Sequence, residues 1–464
     1  MKTTVLRSKI LRLARVFALL LACTTLLLGG RAGVARWRRS KLGAQDLAYV
    51  PRGFRRRIVA IGDLHGDLNH AVRTLRNIEV INEHNHWIGK STILVQTGDI
   101  VDRGKDTIAL YHFFETLRSQ AAEVGGQVVS LMGNHEMMNA MGDWRYVTKE
   151  DIESFGGERN RRRAMSSRGW IGQNWLANYT FTARVQYNLD FKGHAASPYL
   201  NDSLEDCLSD PIDGQERRCQ RQIKARLSDH APQRPLGIWR GPDKQTLFSS
   251  PDAETTEEEH RLDPFAGVAA SFVHGGIHPE WAAKPNAVGE INKLGHSLLE
   301  KSISGPLASP LSLPRNASPE ERALWEEKGP LWYRGFALDE DETEMCARAA
   351  ETMRSLGVRR LIMGHTPQFE GIKSRCAGQV ILIDTGISSA YGGALAALEI
   401  MYTLTPARDA PRPLGPDGQE TPPPVPKPGE KRKWAERELV SVWTVGKRTQ
   451  IIARKERTLH LPAI

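Results

Sequence analysis

The chain has 464 residues, 40% of them hydrophobic and 25% charged, which exceeds one ordinary domain and supplies apolar content for a sizeable core. Its formal net charge of +9 invites a nucleic-acid reading, but residues 1–57 hold 14 Lys/Arg against the single acid Asp46, so the rest of the chain nets −4 (+9 less +13). A mildly acidic body argues against a protein that grips a phosphodiester backbone, which takes clustered Lys and Arg, and no nucleic-acid partner is expected.

Residues 1–30 read as a signal peptide or signal anchor. Lys2, Arg7, Lys9, Arg12 and Arg15 precede the 13-residue apolar run Val16 to Leu28, which Gly29 and Gly30 follow. That run falls short of the ~20 apolar residues of a comfortable membrane span but suits a signal sequence. The competing reading is an ordinary amphipathic helix. A basic linker, 31–57, ends in Arg55 to Arg57. The expected location is therefore exported or membrane-anchored rather than cytoplasmic, with membrane association through the N-terminus.

The central stretch is IVAIGDLHGD, Ile58 to Asp67, where a run of β-formers ends in two carboxylates and an imidazole. Ile58 to Ile61 read as a short buried strand closed by Gly62, which puts Asp63 and His65 at a strand's carboxyl end, where open α/β sheets hold ligands. A hard oxygen and an imidazole nitrogen two residues apart suit a divalent transition metal, although a Gly-Asp pair after a strand is often only a turn. The grammar repeats. Thr92 to Val95 precede GDIVDRG (Gly98 to Gly104), and Val128 to Met132 precede GNHE (Gly133 to Glu136). Helical spacing over Asn69 to Val80 and Thr107 to Arg118 makes residues 58–136 a β-α-β-α-β run, whose parallel strands bring their tips to one edge.

From about 137 to 265 the pattern lapses into Arg clusters (Arg159, Arg161 to Arg163), aromatics and the acidic stretch Glu254 to Glu259, read as a largely helical insertion. Arg clusters of this kind are usually solvated faces. Strand patterns return at Ala269 to Val273, ending in HGG with His274, and at Arg360 to Met363, ending in GHTP with His365. Two histidines in the same setting as three acidic loops point to shared metal ligation. Beyond Leu398 to Thr403 the chain turns Pro-rich over 406–433, and residues 434–464 read as a β-hairpin (Glu438 to Val445, Thr449 to Arg454) completing the sheet that begins at Leu398, with a ligand for a proline-binding domain as the alternative for the Pro-rich piece.

GDLHGD, GDIVDRG, GNHE, HGG and GHTP, in this order, resemble the metal-binding motifs of the calcineurin-like metallophosphoesterases, specifically the phosphoprotein phosphatase family. GNHEMMN, GPLWYRG (Gly329 to Gly335), GHTPQFEGI and IDTGISSAYGG bring it closest to the Shewanella-like protein phosphatases. The likeness spans 58 to about 400 and implies an α/β fold, a central β-sandwich flanked by helices with metals at the strand tips, in a domain over 58–405.

The resemblance implies two divalent transition metals (Mn, Fe or Zn), one on Asp63, His65 and Asp99 and the other on Asp99, Asn134, His274 and His365. Two ions ~3.5–4 Å apart would clamp a phosphate and lower the pKa of a bridging water, whose hydroxide attacks directly. His135, oriented by Asp102, would protonate the leaving oxygen, while Arg103, Arg334 and the neutral Asn134 face the phosphate. Asp67 and Glu136 are expected to fix loops, and His84, His86 and His278 to be surface or packing histidines. The activity so implied is a metal-dependent phosphoprotein phosphatase acting on phosphoprotein or phosphopeptide substrates. A small-molecule or nucleotide phosphoesterase of the same fold and a non-catalytic scaffold are the alternatives. The motifs leave phosphoserine/threonine against phosphotyrosine open, with Tyr391 a candidate for lining a phosphotyrosine pocket.

Five cysteines are present, and loss of Cys23 with a cleaved signal would leave four. In an oxidising compartment the connectivity with the shortest loops is Cys207–Cys219 and Cys346–Cys376, although four cysteines allow three connectivities and a cytosolic chain would keep all of them reduced. The second pair brackets the His365 loop and is the expected place for redox tuning of the site.

Overall fold

The computed structural model describes residues 53–188, 265, 267–304, 313–406 and 431–462. The leader, residues 31–52 of the linker, residues 189–264 of the insertion with Cys207 and Cys219, and 407–430 of the Pro-rich piece lie outside the described residues.

The first half alternates strand and helix: β1 (Phe54–Ile61), α1 (Leu68–Asn77), β2 (Ile93–Gln96), α2 (Thr107–Glu123), β3 (Gln127–Leu131) and α3 (Asn134–Ala140). Then come α4 (Lys149–Ser154), α5 (Glu158–Met165), α6 (Trp170–Asn178), β4 (Tyr179–Thr180) and β5 (Thr182–Gln186). The second half adds β6 (Ala269–Val273), α7 (Pro279–Ala282), α8 (Ala287–Ser304), α9 (Pro319–Ala323), α10 (Gly335–Leu338), α11 (Glu342–Leu356) and β7 (Arg360–Met363). The last strands are β8 (Lys373–Arg375), β9 (Val380–Leu382), β10 (Ala396–Pro406), β11 (Lys431–Thr444) and β12 (Gln450–Pro462).

Among the described residues the strands form two sheets, in the orders β12-β11-β10-β1-β2-β3-β4 and β5-β6-β7-β9-β8. Strand side chains alternate between faces, so Ile58 and Ala60 of β1 join Val95, Leu131, Val185, Phe272 and Ile362 in a core shared by both sheets, while Val59 and Ile61 face the helices with Leu75, Leu110 and Phe114. The result is a β-sandwich flanked by helices. β1, β2 and β3 pair in parallel, with Ile61 opposite Gln96 and Gln96 opposite Ser130, so their carboxyl ends share one edge. β6, β7 and β9 do the same in the second sheet.

Three boundaries differ from the sequence reading. The basic linker does not reach residue 57, because β1 starts at Phe54 and pairs antiparallel with β10 from that residue on. Arg57 is accommodated there by Glu399, 2.6 Å away. The stretch read as helical contains β4 and β5, and β5 pairs with β6. Its Ala183, Val185 and Tyr187 are all buried, an alternation that arginine and threonine on the other face had masked. β11 begins at Lys431, inside the segment read as Pro-rich excursion, and extends the sheet through β10. Its inward positions carry Glu436 and Glu438 where a half-buried strand usually shows apolar residues, so pattern reading found only the end of it.

Those two carboxylates tie the sheets together. Glu438 meets the Arg360 Nε at 2.7 Å and Glu436 the Arg359 guanidinium at 2.8 Å. Because Arg360 is 5% exposed, Glu438→Ala strands a buried guanidinium and is expected to cost ~3–5 kcal/mol, read as a lower urea midpoint.

Cys346 on α11 and Cys376, after β8, form a disulfide with their Cα atoms 5.5 Å apart. Beside it, Arg375 donates to the carbonyls of Phe336, Ala337 and Asp339 and to Glu342, clamping α10 and the start of α11 onto β8. Among the described residues no helix is long and apolar enough to cross a membrane.

Candidate active site

The loops leaving β1, β2, β3, β6 and β7 converge on the Asp99 carboxylate, which is 2% exposed. Its Oδ2 lies 3.3 Å from His274 Nε2, 3.7 Å from His65 Nε2 and 3.8 Å from His135 Nε2. Two sets of donor atoms come together within 4.8 Å: His65, Asp99 and His135, and Asp99, His274 and His365. Asn134 Oδ1 is 2.7 Å from His274 Nε2. Asp63 is in neither set. Its oxygens accept the His365 backbone N–H at 3.2 and 3.3 Å, and its carboxyl lies against Asp384, a neighbour that sequence reading did not select.

The loops reach this arrangement at a conformational cost. His65 (φ 43°), Asp99 (55°), Asp102 (72°), Arg103 (64°) and His365 (67°) all occupy the left-handed region, on the order of 1–3 kcal/mol each for residues with a Cβ. Glycine is needed where strands and ligands touch. A Cβ on Gly133 would stand 2.0 Å from Asp99 Oδ1, and one on Gly364 would stand 2.4 Å from Asp63 Oδ1. Glu136 holds the β2 and β3 loops in register by accepting the N–H groups of Asp99, Ile100 and Gly133, each at 2.8 Å. Asp67 caps α1 through the His70 N–H and reaches Ser389 N at 2.8 Å. Of the remaining histidines, His278 caps α7, while His84 and His86 lie apart from the site, facing each other.

The donor set fits divalent transition metals. His65 Nδ1 lies 3.0 Å from the Val101 carbonyl and His274 Nδ1 2.8 Å from that of Thr97; an N–H donated there leaves each Nε2 lone pair facing Asp99. The buried Nε2 of His365 has no hydrogen-bond partner. Imidazole nitrogens mixed with carboxylate and amide oxygens suit such ions better than calcium or magnesium. Electrostatics agree, because burial pushes the Asp63 carboxyl well above the usual range, reinforced by Asp384 and Asp99, and raises Asp384 to about 6. Burial holds the His65 imidazole down at about 4. Burial lowers the His365 imidazole as well, whereas the Asp99 carboxylate raises that of His274, so buried carboxylates meet two imidazoles held toward their neutral, lone-pair-bearing form.

His135 stands at the first turn of α3, its backbone N–H donating to Asp99 Oδ1 at 2.9 Å and its Nδ1 2.6 Å from Asp102 Oδ2. Burial alone would lower its pKa, but Asp99 and then Asp102 outweigh that and lift it to about 9. Asp102 is held in turn by Asn139 Nδ2 at 2.9 Å, Asn139 Oδ1 by Arg161 Nη1 at 2.7 Å, and Arg161 Nε by Asp151 at 2.9 Å. Asn139 follows His135 by one helical turn, a spacing legible in GNHEMMN. Nothing in the sequence separates the fully buried Arg161 from its solvated neighbours in the Arg cluster.

The Arg103 guanidinium lies over the rings of both Tyr146 (4.5 Å) and Tyr391 (4.9 Å), with its buried Nε unpartnered. Tyr146 is a second residue that the motifs did not reveal; its ring centroid is also 5.1 Å from that of His135. Arg334 Nη1 donates to the His365 carbonyl at 2.8 Å and to Thr366 Oγ1 at 3.1 Å, which places it beside the His365 loop.

The calcineurin-like phosphoesterase family model matches residues 56–263. An uncharacterized protein of Schizosaccharomyces pombe is 34% identical over 353 residues, 75% of this chain and 78% of that protein. Shewanella-like protein phosphatase 2 of Arabidopsis thaliana is 28% identical over 338 residues, covering 72% of this chain and 71% of that one. The crystal structure of the cold-active protein-tyrosine phosphatase of a psychrophile Shewanella sp. is 21% identical, with a TM-score of 0.49 over 77% of this chain and 81% of that chain. The chain belongs to the calcineurin-like phosphoesterases, a family of metal-dependent phosphatase-type enzymes, and has Shewanella-like protein phosphatases among its homologues.

Proposed function

We propose that the chain is a phosphoprotein phosphatase that hydrolyses phosphomonoesters in one displacement, without a phosphoenzyme. The observation that carries this is the His135–Asp102 pair, 2.6 Å apart, set against an Asp99 carboxylate ringed by His65, His274 and His365. His65, Asp99, Asn134, His274 and His365, with Asp63, would hold two divalent ions of the Mn, Fe or Zn type. Bound there, such ions supply Lewis-acid charge neutralisation and an activated water. His135 gives its proton to the leaving oxygen, and Asp102 keeps its ring oriented. Arg103, stiffened by two tyrosines, and Arg334 bind phosphate oxygens with planar guanidinium groups. The protein phosphatase name of the Arabidopsis homologue supports a polypeptide substrate.

The test assays phosphoserine, phosphothreonine and phosphotyrosine peptides beside nucleotides and p-nitrophenyl phosphate, before and after chelation. The expected result is a higher kcat/KM on at least one class of phosphopeptide than on nucleotides, abolished by chelation and restored by a divalent transition metal. Preference for nucleotides would overturn the polypeptide assignment. Export or membrane anchoring is part of the same proposal, supported by the Cys346–Cys376 disulfide, since such bonds persist mainly in oxidising compartments. N-terminal sequencing of the native protein distinguishes a cleaved signal from a retained anchor.

A further inference from the structure

One face of α5 is unlike the rest of the mildly acidic body. Arg159, Arg162 and Arg163 stand at i, i+3 and i+4, so their side chains share one side of the helix, and together they line a cavity of about 340 Å³. None of the three pairs with a carboxylate among the described residues; even Glu158, one turn before Arg162, makes no ion pair with it. The wall also carries Ser166 and Ser302, whose hydroxyls donate to the carbonyls of Arg163 and Leu298 at 2.8 Å, and Trp144, whose buried indole N–H has no hydrogen-bond partner. The Arg162 guanidinium lies 4.8 Å from the Trp144 ring centroid. Three like charges lining one hollow, with one unpartnered indole N–H among its residues and no acid to balance them, make a receptor for an anion.

The cavity adjoins the catalytic centre. Asn139 lines it and donates to Asp102 at 2.9 Å, while Gly142 and Trp144 line it four and two residues before Tyr146, which packs on both His135 and Arg103. Two residues of chain span at most ~7 Å and three ~10 Å, which is the separation from Arg103 that the proposal asks an extended peptide to bridge.

Resting on the phosphoprotein reading above, we propose that this cavity is a specificity subsite for a phosphopeptide, taking the carboxylate or second phosphate of a residue two or three positions from the scissile phosphoresidue. The experiment compares matched phosphopeptides with Asp or Ala at those positions, using the wild type and Arg162→Glu/Arg163→Glu, with p-nitrophenyl phosphate as a substrate too small to span both places. The Asp peptide is expected to show a KM about tenfold below the Ala peptide at equal kcat, the size of one charge-assisted contact. The double variant should abolish or invert that difference and leave kcat/KM on p-nitrophenyl phosphate unchanged, which also shows that it is folded. Equal KM values for the two peptides in the wild type, or a preference that survives in the variant, would overturn the subsite while leaving the phosphatase reading intact. Failure to cleave either peptide would defeat both. If sulfate altered p-nitrophenyl phosphate turnover in the wild type but not in the variant, the cavity would belong to a free anion and the peptide assignment would fall.

Discussion

Asp99→Asn is expected to remove bound metal and activity together. Asp99 is the one carboxylate that belongs to both donor sets, with three imidazole Nε2 atoms 3.3–3.8 Å from its Oδ2. Asparagine keeps the volume and one acceptor oxygen, so the loop packing survives, but the charge that holds the histidines and any cations around it is gone. Loss of an outer-shell partner already costs ~10–100-fold in metal affinity or activity, and removal of a shared ligand should exceed that. Elemental analysis of the purified variant beside p-nitrophenyl phosphate turnover reads both effects; full turnover with two metals retained would sink the assignment of the centre.

His135→Asn should separate chemistry from metal binding. His135 falls within ligand distance of Asp99 and His65, so geometry admits it as a ligand, but its Nδ1 is engaged by Asp102 and its place at the start of α3 suits delivery of a proton. A positioned general acid contributes ~10²–10⁴-fold, and that is the expected fall in kcat with metal content unchanged. The loss should be steeper on a phosphoserine peptide, whose alkoxide needs the proton, than on p-nitrophenyl phosphate, whose phenolate leaves readily. Loss of metal from this variant would reassign His135 as a ligand. A uniform loss across leaving groups would remove its role as acid.

Much of this centre is legible in the chain because its parts are local. A short apolar run leading to a Gly with Asp, Asn or His beside it occurs at Ile58, Thr92, Val128, Ala269 and Arg360, and parallel pairing carries the tips of such strands to one edge whatever the rest of the chain does. The motif residues accordingly lie in one cluster, with Asp63 at its margin beside Asp384. The first part of β11 escaped notice because its buried face is not apolar. Glu436 and Glu438 in β11 are buried because Arg359 and Arg360 of the opposing sheet neutralise them, and a one-dimensional pattern has no access to that partner.

By itself, the amino-acid sequence determined the order of the ligand-bearing loops, the glycines that let them approach, and the chemistry of the donors, since each depends on residues within a few positions of one another. Tertiary structure alone decided which charged residues are buried. Arg161 is fully enclosed and wired through Asn139 to Asp102, whereas Arg162 and Arg163, its immediate neighbours, face an open cavity. The same was true of Tyr146 and Tyr391, far apart in the chain yet both packed against the Arg103 guanidinium. The physical reason is that desolvation and stacking depend on what packs from other elements, and a helix period of 3.6 residues turns adjacent arginines toward different surroundings.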